Sequence, residues 1–240
     1  MLLWIVGVSL LALAAAVAWV LYVELRNQHH MWHDECITPD PRREEMREVL
    51  RGFRAAFEGK DITWWLDYGT LLGAWRLGTE LPFDHDVDIS FLAEQEKRVR
   101  ECLPLLAARG VVLDMDRTSI FYRGRKIGDA EPWFRHGALL CRDDPGRRSG
   151  VHRYWRPLRD DFPAHWIEPL WSIRFAGEWY PCPNHPDRFL RRRYLTCRVH
   201  LRLAIPGRQK CWTSRAFWRE SLRIWRTRDA PIILESRPNR

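Results

Sequence analysis

The hydrophobic pattern opens with an unbroken run. From Leu2 to Val23 no side chain is charged, and a helix of that length, rising about 1.5 Å per residue, matches the apolar thickness of a bilayer. Trp4, Trp19 and Tyr22 lie toward the ends of the run, where amphipathic rings favour the membrane interface. No basic stretch precedes it and no small-residue cleavage site follows. Residues 1–23 are therefore predicted to be an uncleaved signal-anchor transmembrane helix, single-pass and type II. Residues 24–40 are polar and end in the turn-prone TPDP, a short stem; residues 41–240 form the body.

Helical spacing returns in PRREEMREVLRGFRAAFEG, where Met46, Val49, Leu50, Phe53 and Phe57 recur at three- and four-residue steps. Pro41 suits the first turn of that helix and Gly59 its end. The aromatic and β-branched ITWWLD predicts a strand, broken at Gly69 before about two helical turns in TLLGAWR. VDISFL alternates, with Val87, Ile89 and Phe91 on one face and Asp86, Asp88 and Ser90 on the other. AEQEKRVRECLPLLAARG predicts a helix weakened at Pro104. VVLDMD, TSIFYRG and RKIGDA read as short strands of the same sheet. Beyond residue 131 Pro, Trp and Arg dominate and periodicity fades, until 213–227, where Phe217, Leu222 and Trp225 offer a packing face for a last helix. The class this predicts is α+β, a mixed sheet with flanking helices, preceded by one transmembrane helix.

Composition adds a basic balance. The chain has 240 residues, a formal net charge of +8, 46% hydrophobic and 29% charged residues, a globular rather than a disordered profile. The arginines are scattered and fall in no nucleic-acid motif, so nucleic acid is not an expected partner; a membrane-facing surface or a phosphorylated donor accounts for the charge equally well. The six cysteines form no CxxC pair, so no local zinc site is signalled. In an oxidising compartment they permit disulfides, with the pairing open. There is no Asn-x-Ser/Thr acceptor for N-glycosylation.

Against this basic background, ITWWLDYGTLLGAWRLGTELPFDHDVDISF gathers Asp84, Asp86 and Asp88 within five residues. On a strand Asp86 and Asp88 point the same way, about 6–7 Å apart. Carboxylates so placed repel unless a cation sits between them. A hard divalent ion, Mg²⁺ or Mn²⁺, accepts such ligands and completes its shell with water and substrate phosphates. Gly69-Thr70 lies at a strand-to-helix turn, where backbone N–H groups are offered to a phosphate, and Arg76 is placed to clamp a further phosphate oxygen. An alternating acidic strand is also what a solvated sheet face looks like; the Gly-Thr turn upstream favours the metal. Trp64, Trp65 and Trp75 suit core packing better than base stacking. His85, His165 and His185 have no metal-like spacing, and Arg191, Arg192 and Arg193 either meet a pyrophosphate or face water.

DYGTLLGAWRLGTELPFDHDVDI resembles the core motif of the LicD family, a group of nucleotidyltransferase-fold phosphotransferases that includes fukutin and fukutin-related protein. DFPAHWIEPLWSIRFAGEWYPCPNHPDRFLRRRY resembles that family's second block, so the likeness runs over roughly 62–194. The resemblance implies a nucleotidyltransferase-like catalytic domain over 41–240. Its implied activity is metal-dependent transfer of a phosphorylated alcohol, such as ribitol phosphate or phosphocholine, from a CDP-linked donor to a glycan or glycoprotein hydroxyl. The family's metal pair maps onto Asp86 and Asp88. A third carboxylate from a neighbouring strand maps onto Asp129 in IGDAEPWF, with Asp114 and Asp116 as rivals. Asp84 then serves the metal or acts as base for the acceptor. The implied setting is the lumenal side of the Golgi or endoplasmic reticulum membrane. Two other readings use the same residues: a non-catalytic membrane-anchored scaffold of this fold, and a true nucleotidyltransferase that takes a nucleoside triphosphate.

Overall fold

The computed structural model describes residues 36–147, 160–194, 215–226 and 234–236, together with isolated positions at 11, 14, 15, 18, 154 and 157. The predicted anchor at 2–23 lies, apart from those isolated positions, outside the described residues. No helix among the described residues is long and apolar enough to cross a membrane.

The first described helix, α1 (Asp40–Phe57), begins beside Pro39 and Pro41 and buries the predicted stripe of Met46, Val49, Leu50, Phe53 and Phe57. Its outer face is laced with charge. Arg47 holds Glu80 with two bonds, Nε to Oε1 at 2.8 Å and Nη2 to Oε2 at 3.0 Å. Arg51 Nε meets Glu178 Oε1 at 2.9 Å. Both tie the helix to segments far away in sequence.

A seven-stranded mixed sheet follows: β1 (Trp64–Leu66), β2 (Val87–Leu92), β3 (Val111–Asp114), β4 (Ser119–Tyr122), β5 (Arg125–His136), β6 (Leu139–Cys141) and β7 (Asp161–Pro163). The order is β1-β2-β5-β4-β3, with β6 bridging the distal part of β5 to β7. Among the described residues only β2 and β5 pair in parallel, and they do so from Val87↔Gly128 to Leu92↔Trp133. A parallel pair needs a crossover, and here it contains two short helices, α3 (Glu96–Glu101) and α4 (Leu103–Ala107), and the β3–β4 hairpin. The helix predicted across 93–110 is thus broken at Cys102, and Pro104 falls in the first turn of α4, where it costs no hydrogen bond.

Strand β5 runs six residues past the predicted RKIGDA segment. Pro132 lies where β5 changes neighbours on one edge, between the β4 ladder ending at Asp129 and the β6 ladder starting at Phe134. That is a place where a strand lacking one donor is tolerated. A second sheet, β8 (Trp171–Phe175), β9 (Glu178–Cys182) and β10 (Leu234–Ser236), is a hairpin with one added strand. Its two-residue turn, Ala176-Gly177, has φ of 49° and 89°, the double left-handed geometry that fits a twisted hairpin.

Between β1 and β2 lies α2 (Tyr68–Leu77), and two further helices follow, α5 (Pro186–Arg193) and α6 (Arg215–Arg226). On α6, Phe217 is buried with its ring 5.8 Å from that of Phe83. Leu222, expected to pack beside it, is half exposed; the Trp225 side chain lies outside what is described. Trp64, Trp65, Trp133, Phe162 and Phe189 all sit in one core, so the first two tryptophans of the Gly-Thr motif are packing residues. Phe53 is fully buried in that core and edge-on to Phe57 at 5.4 Å. Phe53→Ala is expected to cost about 3–5 kcal/mol in urea unfolding, with the denaturant slope unchanged.

Candidate active site

The site begins at the turn from β1 into α2. Asp67 caps the helix: its Oδ1 accepts from Tyr68 N at 2.7 Å, and its Oδ2 accepts from Ser90 Oγ on β2 at 2.6 Å. Its backbone N–H donates to Asp88 O at 3.0 Å. Thr70 closes the same seam, its Oγ1 accepting from Asp88 N at 2.9 Å. Thr70, a predicted phosphate contact, is thus first of all a brace for the Asp88 backbone. Tyr68 enters the helix at φ 42°, a left-handed conformation uncommon for a residue with a Cβ.

Gly69 has a different reason to be glycine. A Cβ there would lie 2.2 Å from Asp84 Oδ2 and 2.8 Å from Asp84 Cγ. The space left by the missing side chain is filled by the Asp84 carboxylate. The Gly-Thr turn and the acidic segment are therefore in direct contact, although Gly69 and Asp84 are fifteen residues apart in the chain.

Asp84 and Asp86 sit in the irregular segment leading into β2, and Asp88 is the second residue of the strand. Parallel pairing sets Asp88 opposite Asp129 on β5, so the third predicted ligand arrives beside the first pair by register. Burial pushes the Asp88 carboxyl well above the usual carboxylate range, and Asp86, Asp84, Asp129 and Asp67 push it further. Asp129 is partly compensated: its Oδ1 accepts from Ser119 Oγ at 3.1 Å and lies 2.8 Å from Lys126 Nζ.

The donor set, oxygen atoms from several carboxylates, fits a hard divalent cation. The carboxylates do not close into a ready-made shell, because among the described residues no group of three His, Cys, Asp or Glu is gathered tightly enough to hold an ion by itself. A cation there would need water or substrate phosphates to complete its shell. Asp114 belongs elsewhere. Its Oδ1 accepts from the amides of Asp116 and Arg117, both at 3.1 Å, capping the β3–β4 turn. Asp116 is exposed there. Arg76 lies in the last turn of α2, about 10 Å or two helical turns along the axis from Gly69.

The C-terminal part of the resembling segment supplies residues that periodicity does not reveal. Arg193, one of three arginines expected at a pyrophosphate or in water, is fully buried. Its Nη2 lies 3.4 Å from Asp67 Oδ2, and its guanidinium stacks 3.8 Å from the Tyr68 ring centroid. Burial opposes the Arg193 charge, and Asp67 and Tyr68 more than offset it. Arg142 approaches the Tyr68 ring from further away, at 5.3 Å, while its Nη2 donates to Glu131 at 2.7 Å. Arg192 donates to Pro157 O at 2.8 Å, and Arg191 alone of the three is exposed. Tyr194 follows at the C-cap of α5. Burial holds its hydroxyl well above its usual pKa, against the pull of Arg193, and Asp88 and Asp84 add to the effect. Asp67 and Arg193 carried one sequence signal each: a capping-type residue ahead of a helix, and an arginine in an otherwise apolar helical position beside Phe189 and Leu190.

The structure is thus a mixed α+β domain with acids at the head of β2 and a partner carboxylate on the adjacent strand. The LicD/FKTN/FKRP nucleotidyltransferase domain family matches residues 61–185, and the chain belongs to that family. It is 28% identical to ribitol 5-phosphate transferase FKRP of Homo sapiens over 171 residues, 66% of this chain and 32% of that protein. It is 28% identical to the Mus musculus protein of the same name over 158 residues, 60% of this chain and 30% of that one. An uncharacterized Rickettsia prowazekii protein, RP689, is 25% identical over 153 residues, 61% of this chain and 53% of that protein. The chain thus spans about a third of the length of the two transferases it matches.

Two outcomes test this arrangement. Gly69→Ala is expected to displace Asp84 and cost about 1–3 kcal/mol; adding Asp84→Ala should recover most of that loss, so thermal melts of both singles and the double measure the coupling. Arg193→Met leaves Asp67 buried without its cation and is expected to cost about 3–5 kcal/mol in urea unfolding.

Proposed function

We propose that the protein is a metal-dependent transferase that moves a phosphorylated alcohol from a CDP-linked donor to a glycan hydroxyl. The observation that carries this reading is the register of Asp88 against Asp129 on adjacent parallel strands, with Asp84 and Asp86 at the head of the same strand. Mg²⁺ or Mn²⁺ held by Asp86, Asp88 and Asp129 would neutralise charge on the transferring phosphoryl group.

The chain's own groups do the rest. The first amides of α2, Gly69 and Thr70, belong to a helix N-terminus whose donors have no partner within the helix, and they face an anion favourably. Asp84, seated against Gly69, is the base for the acceptor hydroxyl. The acceptor oxygen bonds to the distal phosphorus, the bridging P–O bond breaks, CMP leaves with the electron pair, and the hydroxyl proton passes to Asp84. The Arg193–Asp67 pair keeps the turn in place behind the reacting groups. Arg76 reaches the donor only at its distal end in this scheme.

The setting proposed is a single-pass type II membrane protein with this domain in the lumen of the Golgi or endoplasmic reticulum. The apolar run at 2–23 and the disulfide-bonded Cys36 both support a secretory route, since disulfides persist in oxidising compartments.

Asp88→Asn tests the assignment. The substitution removes one of several repelling carboxylates, so the metal-free variant is expected to melt no lower than wild type. It should lose the Mg²⁺-dependent rise in melting temperature and lower donor turnover by several orders of magnitude. Mass spectrometry against CDP-ribitol, CDP-choline, CDP-glycerol and nucleoside triphosphates identifies the donor. Undiminished turnover in Asp88→Asn, or turnover of triphosphates alone, would sink the proposal.

A further inference from the structure

The segment that enters α1 lies outside the family-matched region, yet it is bonded to the acidic segment at several points. Thr38 is buried; its N–H donates to Pro82 O at 2.6 Å and its Oγ1 to Asp84 O at 2.5 Å. Arg42, with a side chain only 11% exposed, reaches further. Its Nε donates to His85 O at 3.0 Å and its Nη2 to Lys126 O at 3.0 Å. Glu45 holds the same guanidinium through Nη1 at 3.5 Å and also binds Arg125 Nη2 at 2.6 Å.

These contacts share a target. Residues 84–86 belong to neither a helix nor a strand, so no backbone ladder sets the directions of Asp84 and Asp86. Arg42 bonds the carbonyl immediately before Asp86 and a carbonyl three residues before Asp129. One planar guanidinium, with its donors in a fixed fork, thus spans the two chain segments that carry the carboxylates. We infer that the Thr38–Arg42 segment is a positioning strap for the acidic site, and that Arg42 sets the site's divalent-cation affinity by fixing the Asp86 segment against the start of β5.

This inference rests on the metal reading of the site. Two effects of Arg42 have opposite signs, which makes it testable. Its positive charge repels a cation, so removing it would tighten binding if charge were its whole role. Its bridge orders the ligands, so removing it weakens binding if the strap dominates. Lysine keeps the charge but lacks the fork that spans both carbonyls.

The experiment measures Mn²⁺ binding to the full chain by electron paramagnetic resonance for wild type, Arg42→Lys and Arg42→Met. Amide hydrogen exchange over residues 83–88 is followed in the metal-free proteins. The strap predicts that both variants weaken Mn²⁺ binding by about tenfold or more, the usual effect of losing an outer-shell partner, with faster exchange in the acidic segment. Affinity that stays the same or tightens in Arg42→Lys and Arg42→Met, while wild type binds, overturns the strap alone. Wild type that binds no Mn²⁺ overturns the metal reading and the coupling together. Should neither Arg42 variant fold, Thr38→Val removes only the hydroxyl bond to Asp84 O, and the same comparison with wild type decides.

Discussion

Like charges crowd where two parallel strands run in register, and the rest of this domain is arranged around that fact. Asp88 and Asp129 are brought together by β2 and β5, while Asp84 and Asp86 precede them on an irregular segment. Such a group opposes folding unless something fixes and partly neutralises it. The protein answers from several directions. Lys126 and Ser119 hold Asp129, Thr70 and Asp67 hold the backbone of Asp88, and Thr38 and Arg42 hold the carbonyls between them. Apart from the two contacts on Asp129 Oδ1, these bonds are made to backbone groups rather than to the carboxylates of Asp84, Asp86 and Asp88.

Behind the acids lies a second electrostatic unit of opposite character. Arg193 and Asp67 are buried against each other, with aromatic faces of Tyr68 and Phe189 on the guanidinium. Asp67 at once caps α2, accepts from Ser90 and joins Asp88 through its amide, so a cation delivered from α5 stabilises the turn that shapes the front of the site. Ser90 passes the connection on, accepting from Trp133 Nε1 at 3.0 Å. A buried ion pair thus joins the region after residue 160 to the turn at Asp67, alongside the bond from Ala176 N to Gly78 O.

Much of this could be read from the sequence where periodicity was strong. The apolar stripe of α1 and the alternation of β2 each reflect one buried face, and both elements formed. The strands at 111–130 were legible for the same reason. Past Glu131 the signal failed because β5 changes partners and tolerates Pro132, and because the second sheet is short and closes partly through β10. At the site, Asp84, Asp86 and Asp88 announced themselves as alternating charge, but only Asp88 lies on the strand; Asp86, expected on its face, falls one residue before it. Asp129 needed the family likeness, since only the parallel register puts it next to Asp88. Arg193 was noticed but its role was not legible, and Arg42 was not legible at all, because what fixes them is a partner 126 residues away in one case and two backbone carbonyls in the other. Backbone acceptors are the same at every position and leave no mark in a sequence.

The contact between Gly69 and Asp84 has a consequence for how the protein can change over time. One residue's lack of a side chain is the space in which another's functional group rests, so the two positions make a single inherited unit. A lineage that gains a methyl group at 69 gains advantage only from a smaller residue at 84, and that second step discards a carboxylate. Neither path returns easily, so drift at the glycine is closed off by the acid, and the pair is expected to persist or disappear together among descendants that keep or lose the chemistry.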